Sequence, residues 1–274
     1  MKLALPAAGD ATSAGDAYAY TGGKPFDAAL PTLVFVHGAL HDHSVWTLAA
    51  RWFAHHGFGV LALDLPGHGR SAGPALASVE AMADWLLAVL DAAGVGSASL
   101  VGHSMGSLVV LEAAARAPAR VRHLVLVGTA APMSVSPALL ESAANDPQAA
   151  MADVNAWSHS SHAAKPSHPG PGAWLHGGNV ALMRRMQAGD ASSNLFLTDF
   201  RACNAYAGAL DAAARVACPA TIVVGRKDQM TAPKAAAPLA DALRTTPVAL
   251  DAGHALMTEA PDALLKALRA AVGA

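Results

Sequence analysis

The sequence predicts an α/β fold in which a mostly parallel central sheet is covered by helices on both faces. Six short, nearly continuous apolar runs are typical of strands buried on both sides. Segments with helical spacing of apolar residues lie between most of these runs, as parallel strands require. The predicted strands are 33–36, 60–63, 99–101, 123–127, 221–224 and 247–250, and the predicted helices are 46–56, 79–93, 105–117, 232–243 and 261–272.

Length and composition are those of a single large domain with an ample core. Hydrophobic residues make up 53% of the 274 residues, whereas charged residues make up 14% and the formal net charge is −2. Such a balance gives no bulk electrostatic attraction to nucleic acid or to an anionic membrane. The N-terminal apolar stretch is cut at Pro6, too early for a secretory signal. No apolar run reaches the roughly 20 residues of a membrane-spanning helix. We therefore expect a cytoplasmic protein.

One gap interrupts the alternation of strands and helices. Between the fourth and fifth predicted strands lies far more chain than the dozen or so residues that a crossover needs. We expect residues 132–205 to form a cap inserted over the carboxyl edge of the sheet, where ligands of parallel sheets bind. Residues 1–131 and 206–274 would then form the core domain. The alternative interpretation is that this segment is an ordinary long connection on the surface of the domain.

Local signals give the expected cap some structure. Ser136 followed by Pro137 is typical of a helix start, with serine as the N-cap residue. The stretch 158–178 is rich in Ser, His, Pro and Gly and predicts a loop. A helix is predicted over 195–210.

A nucleophile motif stands where a predicted strand meets a predicted helix. Gly102-His103-Ser104-Met105-Gly106 matches the G-x-S-x-G pattern in the structural context that this pattern needs. The sharp turn brings neighbouring backbones so close that side chains at the two glycines would clash. It also exposes the Ser104 hydroxyl next to the positive end of a helix. Ser104 is thus the candidate nucleophile, and a plain Gly-Ser surface turn is the disfavoured alternative.

A serine hydroxyl needs a base, and the base needs a group to orient it. His254 follows the last predicted strand and precedes the C-terminal helix, while Asp228 lies just past the strand 221–224. The chain order Ser104, Asp228, His254 predicts a Ser–His–Asp triad at one edge of the sheet. Asp251 is a rival acid, but it shares a short loop with His254 and is poorly placed to orient the imidazole.

The first strong strand leads into a candidate oxyanion loop, His37-Gly38-Ala39-Leu40. Acyl transfer requires a second backbone N–H beside the one that follows the nucleophile. We predict Ala39 and Met105 as the two donors, with Leu40 as the reserve. Gly38 lets the chain turn closely at this point.

Other polar residues near the strand ends have structural explanations. Asp64 and His68 lie in a loop rich in Pro and Gly, and we expect them to brace the site rather than react. The segment 41–43 contains two histidines and a carboxylate, but no closed ligand set of familiar spacing accompanies it. A helix-capping role for Asp42 or Ser44 is therefore favoured over a metal site.

Taken in order, the motifs HGALHDHSVW, DLPGHGRS, GHSMGS, GRKD and GHALMTEAPD resemble the α/β-hydrolase superfamily. Within it they are similar to capped bacterial esterases, lactonases, carbon–carbon bond hydrolases and cofactor-free haloperoxidases. The resemblance runs from about Val34 to the C-terminus and leaves out most of the cap. Epoxide hydrolases and haloalkane dehalogenases carry aspartate where this chain has Ser104, which excludes both. Carbon–carbon hydrolases often have another residue where His103 stands.

Residues and resemblance together predict a serine hydrolase that forms an acyl-enzyme with an ester, lactone or related small apolar carbonyl substrate. No metal and no organic cofactor is expected. The expected partner is a small molecule, neither nucleic acid nor membrane, and homo-oligomer formation stays open. The alternatives on the same triad are haloperoxidase or perhydrolase, carbon–carbon hydrolase and lyase chemistry. A non-enzymatic ligand receptor is a more remote alternative. The candidate substrate-binding residues are Leu40, His103, Met133, Trp157 and Phe196; the last three serve equally well as cap core.

Overall fold

The computed structural model describes residues 1–5, 15–161, 174–189 and 193–274. These residues include one eight-stranded sheet. Its strands are β1 (Lys2–Ala4), β2 (Asp16–Tyr20), β3 (Thr32–Val36), β4 (Gly59–Asp64), β5 (Ala98–His103), β6 (Val121–Val127), β7 (Ala220–Gly225) and β8 (Val248–Leu250).

The sheet is mostly parallel, which confirms the predicted fold class. Its strand order is β1-β2-β4-β3-β5-β6-β7-β8, and only β1 and β2 pair in the antiparallel sense. Every predicted strand overlaps one of β3 to β8. The two strands β1 and β2 were missed because they are short and alternate between buried and more exposed residues, so they lack the continuous buried run that identifies the central strands.

Helices connect the strands and form the segment between β6 and β7. None of the helices among the described residues has the length and apolar character needed to cross a bilayer. Short 3₁₀ helices cover His43–Trp46, Pro118–Arg120 and Pro233–Ala236. The α-helices are α1 (Thr47–Ala54), α2 (Val79–Ala92), α3 (Met105–Arg116), α4 (Pro137–Asn145), α5 (Pro147–Ser158), α6 (Leu175–Gln187), α7 (Leu195–Ala205), α8 (Ala209–Arg215), α9 (Ala237–Ala242), α10 (Leu256–Glu259) and α11 (Pro261–Val272).

Alternate residues of each central strand face opposite layers of helices. In β3, Val34 and Val36 join the cluster formed with α2, α3 and α8. The intervening Leu33 and Phe35 join the cluster formed with α1 and α11. Since both faces of the strand are buried, the sequence reads as a continuous apolar run rather than an alternating one.

Helices α4 to α7 lie in the segment expected to form the cap. Leu139, Met151, Met183 and Phe196 build a small separate core there, and Leu40 of the main domain packs into it. The Ser136 side chain caps α4 by accepting a hydrogen bond from the Leu139 N–H at 3.2 Å, as predicted. The boundaries 132–205 stay a prediction.

Two local predictions in this segment need correction. The helix predicted over 195–210 is two helices, α7 and α8, because Tyr206 adopts an extended conformation and breaks the helical path. The predicted loop 158–178 is too long, since α6 begins at Leu175 despite the two glycines in its first turn. Residues 162–173 of that loop lie outside the described residues.

Substitution of Gly225, at the end of β7, tests how closely this strand packs against the backbone of residues 252 and 253. A side chain there would overlap the carbonyl oxygen of Gly253 and lie 2.6 Å from that of Ala252. We expect Gly225→Ala to lower the free energy of unfolding by about 1–3 kcal/mol, because backbone must move to admit the methyl group. The matched control is Gly96→Ala, whose added carbon meets no atom within 4 Å and should change stability by less than about 0.5 kcal/mol. Equal denaturation midpoints for the two variants would contradict this packing.

Candidate active site

Ser104 stands in a strained turn between β5 and α3. Its φ of 52° and ψ of −120° place a non-glycine residue in a region that side chains rarely adopt. A side chain at Gly102 would overlap the carbonyl oxygen of Gly106. One at Gly106 would come within 2.5 Å of the carbonyl oxygens of Val36 and His37. The two glycines of the motif are therefore required by close backbone contact, as the sequence predicted.

Hydrogen bonds hold this turn in place. The Ser104 N–H donates to the Val127 carbonyl at 2.9 Å. The Ser107 hydroxyl lies 2.5 Å from the Ser104 carbonyl oxygen and 2.9 Å from the Thr129 hydroxyl. Met105 is the first residue of α3, so its N–H has no intrahelical acceptor and is available beside the Ser104 hydroxyl.

The predicted acid and base meet at the same edge of the sheet. His254 Nδ1 lies 2.8 Å from Asp228 Oδ2, and both residues are buried. The other oxygen, Oδ1, accepts the N–H groups of Met230 and Thr231 at 2.8 Å each. Thr231 also donates its hydroxyl to Oδ2 at 2.8 Å. With the proton on Nδ1 directed at Asp228, the second ring nitrogen of His254 is left to accept one.

Asp228 is held in its ionised form. Burial by itself would raise its pKa, but the neighbouring His254 and hydrogen bonds from His254 and Thr231 outweigh burial, and the pKa is lowered. The rival acid, Asp251, is exposed and pairs with Lys227 at 2.8 Å. Thr231 was not predicted; a hydroxyl residue three positions after the acid was the signal for it.

Two cavities among the described residues open beside Ser104. Both have more apolar than polar surface; the larger is about 160 Å³, and the smaller, of about 30 Å³, includes His254 and other imidazoles in its wall. Ala39, Phe200 and Met230 line both, so the two cavities meet at the nucleophile. A substrate lying across Ser104 would thus contact apolar surface on both sides and imidazole side chains in the smaller cavity.

Phe196 takes the second of its two predicted places. It is fully buried in the small core formed by α4 to α7, stacked on Phe200 with ring centroids 4.5 Å apart, and lines neither cavity. Phe200, one helical turn later, is the aromatic residue at the nucleophile. The sequence could not show which face of α7 points inward. The remaining predicted residues each line one cavity: Met133 and Trp157 the larger, Leu40 and His103 the smaller.

A buried carboxylate that the sequence analysis missed fixes the candidate oxyanion loop. Asp199, on α7, accepts the Leu40 N–H at 2.9 Å, and the same oxygen lies 2.9 Å from Nε2 of His68. Leu40 itself has a positive φ of 55°. Because the Leu40 N–H is already hydrogen-bonded to Asp199, it is not available as the reserve oxyanion donor. Ala39 and Met105 remain as the candidate oxyanion donors.

His68 and Asp199 form a buried ion pair. His68 Nδ1 also lies 3.1 Å from the Pro66 carbonyl, so both ring nitrogens face acceptors and the charged imidazolium satisfies them. Burial alone would lower the pKa of His68, but the charge and hydrogen bond of Asp199 outweigh it, and the pKa is raised. Asp199 was detectable only as the acidic residue of a largely apolar helix.

The loop that follows the oxyanion segment is braced by hydrogen bonds. Asp42 caps the 3₁₀ helix by accepting the Ser44 N–H at 2.9 Å. Asp64 accepts the N–H and Nδ1 of His43 at 2.7 Å each, and the N–H of Arg70 at 2.8 Å. Ligand atoms of Asp42, His43 and Asp64 lie within 4.8 Å of one another, but the carboxylates are already hydrogen-bonded. The expectation of a site without metal stays a prediction.

Residues 31–261 match the sequence model of a family described as alpha/beta hydrolase fold. The match spans most of the chain, and the strand order and site geometry agree with it. The chain belongs to the α/β-hydrolase family.

Individual relatives are similar over different lengths. The chain resembles an esterase (EaEST) from Exiguobacterium antarcticum with a TM-score of 0.81 and 18% identity, over 100% of this chain and 99% of that one. It resembles the enol-lactonase from Burkholderia xenovorans LB400 with a TM-score of 0.77 and 21% identity, over 95% and 97%. At these identities the likeness shows the fold alone.

Sequence matches to curated relatives are more local. The (E)-2-((N-methylformamido)methylene)succinate hydrolase of Acinetobacter baylyi is 31% identical over 96 residues, 35% of this chain and 36% of that protein. The matched segments cover between 26% and 36% of the length of the first such relatives.

The His68–Asp199 pair gives a pH-dependent prediction. Because the pKa of His68 is raised on folding, the pair stabilises the fold fully below the ordinary histidine pKa of about 6.5. That contribution is lost as pH rises through the raised value. We expect Asp199→Asn to lower the free energy of unfolding by about 3 kcal/mol near pH 6, and by less at pH 9.

The measurement is thermal denaturation of wild type and variant across this range. Asp153→Asn, an exposed position on α5, is the control and should show no such trend. A difference between wild type and Asp199→Asn that does not change with pH would show that His68 is not charged in the folded protein.

Proposed function

We propose that this α/β-hydrolase is a serine hydrolase that cleaves an ester or lactone of a small or medium apolar molecule. The observation that carries the proposal is the 2.8 Å contact from His254 Nδ1 to Asp228, with His254 and the strained Ser104 in the wall of one cavity. A carboxylate-oriented imidazole beside an exposed serine is the arrangement that activates a hydroxyl for attack on a carbonyl carbon.

In the first half-reaction, Ser104 Oγ attacks the carbonyl carbon while His254 Nε2 removes the hydroxyl proton. Asp228 stabilises the imidazolium that forms and holds the ring in the required tautomer. The carbonyl oxygen becomes negatively charged and accepts the N–H groups of Ala39 and Met105. The N-terminus of α3 adds favourable potential at the same point.

The first half-reaction ends when the imidazolium of His254 protonates the leaving alcohol oxygen, which breaks the ester bond and leaves the acyl group on Ser104. In the second half-reaction, the acyl-enzyme is hydrolysed. His254 then removes a proton from water as the water attacks the acyl carbon. Collapse of the second tetrahedral intermediate releases the acid and restores the Ser104 hydroxyl.

The larger cavity supports an apolar group on one side of the scissile bond. Its wall near the nucleophile contains Met133, Leu139, Phe200 and Met230. Thioether and aromatic side chains of this kind fit alkyl groups by contact and desolvation rather than by hydrogen bonding. The relatives named as an esterase and an enol-lactonase are compatible with this substrate class.

The first test is covalent labelling by a fluorophosphonate probe. We expect rapid labelling of wild type and none of Ser104→Ala or His254→Ala, because the probe reacts only with an activated serine. Ester hydrolysis by the two variants should fall roughly 10⁵- to 10⁶-fold in kcat. Ser97→Ala, at the opposite end of β5, is the matched control and should behave as wild type. Labelling that persists in Ser104→Ala, or folded wild type that neither labels nor cleaves a small ester, would refute the proposal.

Substitution of Trp157 tests whether the larger cavity binds the acyl chain of the substrate. It lines that cavity yet is 38% exposed, so its loss should open the wall without disturbing the core. For Trp157→Ala we expect the ratio of kcat/KM for octanoate to butyrate esters to rise roughly tenfold. Trp174→Ala is the control, since Trp174 is 58% exposed and lines neither cavity beside Ser104. An unchanged ratio in Trp157→Ala would place the acyl chain elsewhere.

A further inference from the structure

The smaller cavity beside Ser104 has a largely apolar wall that also contains polar residues which the proposed hydrolysis does not use. His41, His103 and Ser158 contribute side chains to it, and its volume is about 30 Å³. A single water occupies about 10–15 Å³ on a comparable measure, so the cavity admits a group as small as a hydroxyl. What this cavity binds depends on which of its polar atoms donate and which accept.

A chain of hydrogen bonds sets the tautomer of His41. The carbonyl oxygen of His176 can only accept, so Asn155 must direct its NH₂ group to it, at 3.0 Å. The Asn155 side-chain oxygen then accepts the NH₂ group of Asn179 at 2.8 Å. The Asn179 oxygen is left to accept a proton from Nε2 of His41, at 2.8 Å. With its proton on Nε2, neutral His41 has a bare lone pair on Nδ1.

His41 remains neutral at physiological pH. Burial of the imidazole lowers its pKa to about 4, although the hydrogen bond to Asn179 acts in the opposite direction. The buried Nδ1 atom has no hydrogen-bond partner among the described residues. A buried acceptor without a partner is uncommon in folded proteins, and at a ligand cavity it indicates a missing donor.

His103 reaches the same state by a different contact. Its Nε2 donates to the backbone carbonyl of His254 at 2.9 Å, which again leaves Nδ1 as an acceptor. Burial, together with the neighbouring imidazoles, holds the pKa of His103 well below its usual range. Its buried Nδ1 likewise finds no partner in the described part of the chain. A side chain at Gly38 would lie 3.0 Å from this nitrogen and 3.1 Å from Ser104 Cβ, so the acceptor lies close to the nucleophile.

Ser158 adds a third acceptor. It donates its hydroxyl proton to the Val154 carbonyl at 2.7 Å, so only its lone pairs remain for another partner. His41, His103 and Ser158 all line the smaller cavity, and each has an acceptor but no free proton to offer. A ketone or carboxylate oxygen would be repelled there, whereas an O–H group would be bound.

We propose that His41 and His103 form a subsite that accepts a hydrogen bond from a hydroxyl group of the substrate close to its scissile carbonyl. This inference rests on the proposed serine hydrolase function and names its substrate class: hydroxy esters or hydroxy lactones with an apolar remainder. A substrate without the hydroxyl leaves buried acceptors unpaired or traps water on them. We expect it to react roughly 10- to 100-fold less well in kcat/KM.

The experiment uses matched p-nitrophenyl esters of butyrate and of its 2- and 3-hydroxy, 2- and 3-methoxy and 2- and 3-fluoro derivatives. A methoxy group keeps the inductive effect of the hydroxyl and a fluorine atom keeps its small size, but neither can donate, so a kcat/KM ratio that favours the hydroxy ester over both isolates the hydrogen bond. We expect wild type to prefer at least one hydroxy isomer by 10-fold or more over both its methoxy and its fluoro partner. A ratio near one for both isomers overturns the inference and assigns the acceptors to a bound water.

Variants connect the preference to the residues. His41→Phe keeps a ring and removes the acceptor, and should bring the ratio close to one. His41→Asn can place a side-chain oxygen near the position of Nδ1 and should restore part of the preference. His55→Phe, at the exposed end of α1, is the control and should keep the wild-type ratio. A ratio in His41→Phe that equals wild type would refute the role of His41.

Failure of this inference differs from failure of the proposed function. Wild type that is labelled at Ser104 and cleaves butyrate, but ignores the hydroxyl, remains a serine hydrolase without the subsite. Wild type that is neither labelled nor active on any of the esters overturns both. Imidazole ¹⁵N NMR gives a readout independent of turnover: a proton on Nδ1 of His41, rather than on Nε2, would contradict the hydrogen-bond chain.

Discussion

The backbone turn at Ser104 is the constraint on which the rest of the site depends. A non-glycine residue in this conformation costs about 1–3 kcal/mol, and the surrounding structure must enforce it. Contact between Gly102 and Gly106, and the hydrogen bond from the Ser104 N–H to Val127, fix the turn against its neighbours. Since β5 lies between β3 and β6 in a parallel sheet, the loops after all three strands meet at this one edge. The position of the turn therefore determines where the loops after β3 and β6 must place their side chains and backbone N–H groups.

The segment α4 to α7, which we expect to form a cap, meets the core at another buried contact. One carboxylate oxygen of Asp199 contacts both the Leu40 N–H and the His68 imidazole. These three residues belong to α7, the candidate oxyanion loop and the loop after β4, which are far apart in the chain. Arg185 of α6 and Asp42 form a second contact between the same two parts, at 2.7 Å. Phe200, on the helix that carries Asp199, is thereby held over the nucleophile.

Three imidazoles stand close to Ser104, and their partners give them different properties. His254 faces a carboxylate through Nδ1, which orients the ring and, in the proposed mechanism, leaves Nε2 for the serine proton. His41 and His103 donate from Nε2 to neutral oxygens, and burial keeps them uncharged. Only an imidazole with a carboxylate partner gains stabilisation when it accepts a proton. The other two contribute acceptors to the wall of the site.

Local signals in the chain were sufficient for the central sheet and for the proposed triad positions. Continuous apolar runs identified β3 to β8, because burial on both faces leaves no polar alternation. Ser104, Asp228 and His254 were found because each follows a strand, and parallel strands end at a common edge. The same reasoning missed β1 and β2, which are short and buried at alternate residues only, and it joined α7 and α8 into one helix.

The sequence by itself determined the fold class, the strained turn at Ser104 and the order of the candidate catalytic residues, because these depend on neighbours within a few positions. Only the tertiary structure decided that Phe200 rather than Phe196 faces the nucleophile, that Asp199 takes the Leu40 amide, and that Asn179 sets the tautomer of His41. Those outcomes depend on which face of α6 or α7 meets the core. Contacts that join residues more than a hundred positions apart leave no periodic trace in the chain.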